Sequence, residues 1–189
     1  TIKLVLKPKK SKKKRLSMKK KMRSKKGCPS RMQGKKCPCV TFKTRVRDSR
    51  IKGANPYRWK DLKSNNIFKN KKVVVFSLPG AYTPTCSHSH LPDYEKMHPK
   101  LKQLGVDDVY CVSVNDAFVM HNWGKKLGIK RVKLLPDGNG EFTKKMGALV
   151  KKKNLGYGDR SWRYSMLVNN GKINKVFSEN GFGNNQVKD

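Results

Sequence analysis

Apolar residues fall into two kinds of run along this chain. "KVVVFSL" (72–78) and "DVYCVSV" (108–114) are continuous β-branched and aromatic stretches, the pattern of strands buried on both faces of a sheet. "VKLLPD" (132–137) reads as a third such strand, and "VTFKTRV" (40–46), with apolar Val40, Phe42 and Val46 among polar neighbours, as an exposed edge strand. Between the central strands the period changes. Leu91, Tyr94, Met97, Leu101 and Leu104 recur at three- and four-residue steps and predict a helix ending at Gly105, which Pro99 should bend or interrupt. A second helix is expected from Asn115, as N-cap, to Gly128, and a third over "GEFTKKMGAL" (140–149). "RYSMLV" (163–168) and "KINKVF" (172–177) flank the turn "NNG" and predict a hairpin. After the loop "KGANP", the stretch "YRWKDLKSNNIFKNKK" (57–72) reads as a short amphipathic element. Strands alternating with helices, then a hairpin, predict an α/β layered domain with a mixed central sheet flanked by helices.

Charge divides the chain in two. Of its 46 Lys and Arg, 20 lie in residues 1–47, where there is no acidic residue, so much of the net charge of +34 sits at one end. Such a stretch cannot collapse against its own repulsion. Residues 1–39 are therefore expected to be a disordered basic leader and residues 40–189 the folded domain. An acid-free Lys/Arg-rich leader has the composition of a targeting segment, removed on import into a plastid-like organelle or a mitochondrion. A basic nucleic-acid-binding arm on a cytoplasmic protein has the same composition, but no aromatic residues interleave the charges as stacking partners. No stretch of the sequence reads as a membrane span.

There are five cysteines, an odd number that does not suggest a disulfide framework. Cys28, Cys37 and Cys39 lack a fourth ligand at zinc spacing and read as unstructured thiols. Cys86 is different. It follows the end of the "VVVFSL" strand in "PGAYTPTCSHSH" (79–90), at the strand-to-helix turn where open α/β sheets place reactive groups. Thiols react as thiolates, and a free cysteine is only about 3 per cent ionised at pH 7. An exposed helix N-terminus contributes about 0.3–1 kcal/mol, too little to change that, so a cation must come from elsewhere. Arg160 and Arg163 in "GDRSWRYSML" are the candidates, while Thr83 brings a hydroxyl and Pro79 stiffens and shields the loop. With no second cysteine at C-x-x-C spacing, the site suggests one-thiol chemistry. Cys86, His88 and His90 cannot share one metal ion on a helix, since residues two apart point away from each other.

"LPGAYTPTCSHSHLPDYEK", "CVSVNDAFVMHNWGK", "KLLPDGNGEFTKKMG" and "RSWRYSMLVNNGKI" resemble, in order, the signature blocks of the peroxiredoxin 5, or type II, subfamily. The resemblance implies a thioredoxin-like fold and reduction of hydrogen peroxide and organic hydroperoxides without metal or organic cofactor. It implies that Cys86 is the peroxidatic nucleophile, with Pro79, Thr83 and Arg163 completing the site; Arg160 and His90 are then supporting candidates. Cys111, 25 residues after Cys86, stands at the place of the second cysteine of plant-like members. A buried strand position argues instead for packing and for recycling by glutathione and glutaredoxin or a thioredoxin-type reductant. Members of the subfamily commonly form homodimers. The alternative readings are a basic nucleic-acid-binding protein and a redox sensor using the same cysteine.

Overall fold

The two continuous apolar runs lie side by side in the middle of a five-stranded sheet. A computed structural model describes residues 29–178 of the chain. In it β3 (Lys72–Ser77) pairs in parallel with β4 (Asp108–Ser113), and β4 with β5 (Lys133–Pro136). On its other side β3 pairs antiparallel with β8 (Tyr164–Asn169), which turns through Asn170 and Gly171 into β9 (Lys172–Ser178). Both turn residues have positive φ, 46° and 74°, the conformation of the two-residue turn that matches strand twist. The sheet order β5-β4-β3-β8-β9 makes it mixed, as the alternation of elements predicted, and its fold is thioredoxin-like.

Helices cover both faces because β3 and β4 are apolar on both. The helix α2 (Leu91–Gln103) and α3 (Ala117–Lys126) bury Leu91, Met120 and Trp123 against Phe76, Val109 and Cys111 on one face. On the other, Phe42, Phe68, Phe142 and Met146 pack against Val73, Val75 and Val112. The short helices α1 (Ser64–Phe68) and α4 (Glu141–Lys145) carry Phe68 and Phe142 into that layer. Asp137, buried beside α4, accepts hydrogen bonds from the backbone N–H groups of Phe142 at 3.1 Å and Thr143 at 2.8 Å. It thereby caps a helix whose N-cap position is a left-handed glycine, Gly140.

Several expectations need correction. The stretch after "KGANP" is not one amphipathic element: Tyr57–Lys63 forms β2, paired antiparallel with β1 (Thr41–Arg47) in a two-stranded ribbon, and only then does α1 begin. α2 runs through Pro99 without interruption. The N-cap of α3 is Asp116, which accepts from Phe118 N at 2.8 Å and Val119 N at 2.9 Å, and Asn115 is left for another task. A further small ribbon, β6 (Leu149–Lys151) with β7 (Asp159–Ser161), follows α4 where no strand was expected.

The folded part also begins earlier than Val40. Pro29–Met32 forms a short 3₁₀ turn, and residues 33–37 run along the outer edge of β9. Gly34 N donates to Ile173 O at 2.7 Å, Ile173 N to Lys35 O at 2.8 Å and Cys37 N to Gly171 O at 2.8 Å. Cys37 is consequently no unstructured thiol; it is buried in the core, and desolvation pushes its pKa up to about 12. Cys39 is exposed, and Cys28 lies outside the described residues, as does the basic stretch before it.

Candidate active site

The carboxyl ends of β3 and β4 and the start of β8 meet at one end of the sheet. After Ser77 the chain leaves through buried Leu78, Pro79 and Gly80, rises through an exposed loop and turns helical at Pro84. Cys86 therefore stands in the first helical turn, where backbone N–H groups lack intrahelical acceptors and carry the positive end of the helix dipole. From Cys86 to His90 the turn is widened to a π-helix, with Leu91 N bonded to Cys86 O, before α2 continues. The sulfur is fully buried.

Strand register brings the cation. Ser77 pairs with Tyr164, so Arg163, one residue earlier, lies beside the loop that follows β3. Its Nη1 is 3.3 Å from Cys86 Sγ, a charge-assisted contact to the sulfur. Buried Ser77 and Ser161 meet hydroxyl to hydroxyl at 2.8 Å and join the end of β7 to the end of β3, holding the approach to Arg163. Arg160 does not bond the sulfur. Its Nη1 donates to Val114 O at 3.1 Å and its Nε to Tyr157 O at 2.9 Å. Its guanidinium lies against Gly80, where an added Cβ would stand 3.1 Å from Nη1. Glycine here lets the arginine brace the loop.

Thr83 keeps its hydroxyl close to the backbone, donating to Gly80 O at 2.9 Å, while Ser87 N donates to Thr83 O at 3.0 Å. In this state Thr83 offers an incoming group its lone pairs, not its proton. Asn115, read from sequence only as a cap, accepts from Ala81 N at 2.9 Å and from Ser113 Oγ at 2.7 Å. It thereby fastens the loop to the end of β4. Trp123 Nε1 donates to Ser87 Oγ at 3.0 Å and fastens the following turn to α3. Neither tie carried a sequence signal beyond the residue types.

His90 was expected to support the site through hydrogen bonds. Its Nδ1 is instead buried with no hydrogen-bond partner among the described residues, and the ring packs against Phe76 and Tyr94, centroids 5.3 and 5.7 Å away. Desolvation, with Arg163 adding repulsion, holds its pKa down to about 4. The unfolded chain therefore takes up a proton near pH 6.5 that the folded chain refuses until about pH 4, so stability falls as pH drops across that window. Urea midpoints at pH 7.5 and 5 should differ more for the native protein than for His90→Gln. His88 is exposed, with Nδ1 2.9 Å from Pro84 O.

Cys111 sits in the same core cluster as Cys86, fully buried in β4 between β3 and β5. Burial first, and then the neighbouring Cys86, raise its pKa well above that of a free thiol. Both are free thiols. Among the described residues no three His, Cys, Asp or Glu side chains gather as a metal site, and no helix is long and apolar enough to cross a membrane.

The chain matches the Redoxin family over residues 52–188. It is 63% identical to a peroxiredoxin of Synechocystis over 154 residues, 82% of each chain. It is 53% identical to a hybrid peroxiredoxin, hyPrx5, of Haemophilus influenzae, covering 79% of this chain and 58% of that one. Among solved structures, the Plasmodium falciparum antioxidant protein, a 1-Cys peroxiredoxin, superposes with a TM-score of 0.71 at 36% identity, over 78% of this chain and 85% of that one.

Proposed function

Because the chain belongs to the peroxiredoxins and is thereby a thiol-dependent peroxidase, we propose that Cys86 is the thiol that reduces hydrogen peroxide and organic hydroperoxides. The observation that carries this is the guanidinium of Arg163 at 3.3 Å from a sulfur held in a helix's first turn. The cationic Arg163 donor on one side and the first-turn N–H groups on the other suit a sulfur that reacts as a nucleophile. A sulfur lone pair attacks one peroxide oxygen, forming the S–O bond as the O–O bond breaks. The second oxygen leaves with the electron pair and takes a proton, giving water or an alcohol, and Cys86 is left as the sulfenic acid. Arg163 faces the charge that develops on the leaving oxygen, and Thr83 receives a hydrogen bond from the peroxide's O–H. Pro79, buried under the loop, keeps bulk water from the sulfur, and Arg160 and Asn115 keep the loop in place.

The sulfenic acid is recycled by an outside thiol, for which glutathione with glutaredoxin, or a thioredoxin-type protein, is the reductant class. One thiol condenses with the sulfenic acid and releases water; a second breaks the mixed disulfide and restores Cys86. Two facts support an external reductant over Cys111. Cys111 is a fully buried thiol in a central strand, the setting of an inert packing cysteine. The Plasmodium relative is itself a 1-Cys peroxiredoxin. Exposed Tyr82, on the peroxidatic loop itself, is the surface to which we assign a homodimer contact. The acid-free basic stretch supports import into a plastid-like organelle or a mitochondrion.

One equivalent of hydrogen peroxide in the presence of dimedone should label the Cys86 peptide, read by tandem mass spectrometry, and leave those of Cys37, Cys39 and Cys111 unmodified. Labelling of Cys39 or Cys111 in its place would overturn the assignment.

A further inference from the structure

Between α3, β5 and the β1–β2 ribbon lies a cleft of about 380 Å³, lined by none of Pro79, Thr83, Cys86 and Arg163. That volume falls in the range of about 300–1,000 Å³ that small-molecule sites occupy. Its floor is apolar: Met120 and Val132 are buried, and half-buried Ile129 and Leu134 line it as well. Gly124 lets the helix approach β5 so closely that a Cβ there would stand 2.6 Å from Leu134 Cδ1, and this shapes one wall.

Its rim is cationic. Arg45, His121 and Lys125 line the opening, and no residue lining it is acidic. Among the described residues, Arg45 is held there by neutral groups. Its Nη2 donates to Asn55 Oδ1 at 2.7 Å, and its guanidinium lies 4.4 Å from the Phe118 ring and 5.2 Å from that of Tyr57. The edge of Tyr57 in turn meets His121 with centroids 4.9 Å apart. Aromatic rings and one amide thus orient a guanidinium without neutralising it. An apolar trough with a positive mouth complements an apolar body that ends in a negative group.

We propose that this cleft binds a small amphiphilic anion, a medium-chain carboxylate, with its chain along Met120, Ile129, Val132 and Leu134 and its head between Arg45 and Lys125. The site is separate from Cys86 and does not depend on the peroxidase assignment.

Titration calorimetry of the full chain with decanoate, below its micelle-forming concentration, tests this. The expected result is saturable binding of one decanoate per chain. Decanol, with the same chain and no charge, should bind about tenfold more weakly, and Lys125→Glu should weaken decanoate by a similar factor. Ile129→Gln should weaken both ligands. Equal affinity for decanoate and decanol, or a Lys125→Glu protein that binds decanoate unchanged, would overturn the proposal. So would absence of binding together with a dimer, seen by sedimentation, that Lys125→Glu dissociates, since the cleft would then be covered by a second copy of the chain.

Discussion

Cys86→Ser is expected to reduce no peroxide, whereas Cys111→Ser should keep both the peroxide step and glutathione-dependent turnover. Both thiols are fully buried in one apolar cluster, so burial alone does not distinguish them. What differs is the company. Cys86 has Arg163 at 3.3 Å and a helix start beneath it, and Cys111 has neighbours on two flanking strands and a pKa pushed well above that of a free thiol. Serine in place of Cys86 keeps the shape and removes the polarisable nucleophile. Stopped-flow mixing of the reduced proteins with hydrogen peroxide measures the first step, and coupled turnover with glutathione and glutaredoxin the second. A Cys111→Ser protein that folds and reacts once but does not turn over would show that the strand cysteine takes part in recycling.

The second large effect belongs to the cation. Arg163→Met retains much of the apolar bulk and loses the donor to the sulfur, and the rate constant for the peroxide step should fall about 10²–10³-fold, the scale seen when one charge-stabilising donor is removed from a reacting centre. Stopped-flow mixing of the Arg163→Met protein with hydrogen peroxide measures that constant. Arg160→Met provides the contrast. It removes a brace on Val114 O and Gly80 without touching the sulfur, so a loss as large as that of Arg163→Met would mean that loop geometry, not charge at the sulfur, governs the rate.

The strands that place this site were legible because burial on both faces writes itself as an unbroken apolar run, as in Val73–Leu78 and Val109–Val114. Residue types alone offered Arg160 and Arg163 equally, and it was the resemblance that singled out Arg163, which the structure places 3.3 Å from the sulfur. β2 was not legible. Its seven residues are largely exposed and polar, so no alternation survives, and its strand state comes from pairing with β1. Asn115 and Asp116 are equally good N-cap residues in sequence, and only the approach of the loop backbone at Ala81 decides which one caps. At His90 the residue type suggests polar contacts, but the Phe76 and Tyr94 rings packed on it and its partnerless Nδ1 come from tertiary packing that the sequence does not display. The early start of the fold was hidden by charge: Lys35 and Lys36 read as part of the basic run, yet their backbone, not their side chains, is what pairs with β9.

That pairing bears on how the molecule avoids its own kind. β9 ends the five-stranded sheet, and a bare outer strand is a template on which a second chain can add. Residues 33–37 occupy that template, satisfying both the N–H and the C=O of Ile173, and the short turn before them lies against the same strand. The end of the basic run therefore works as a guard on the sheet. A chain trimmed at residue 28 keeps the guard and should stay monodisperse as far as this edge is concerned. One trimmed at residue 39 uncovers the backbone of β9 and invites stacking into aggregates, with Cys86 and Arg163 still together at the far end of the strands.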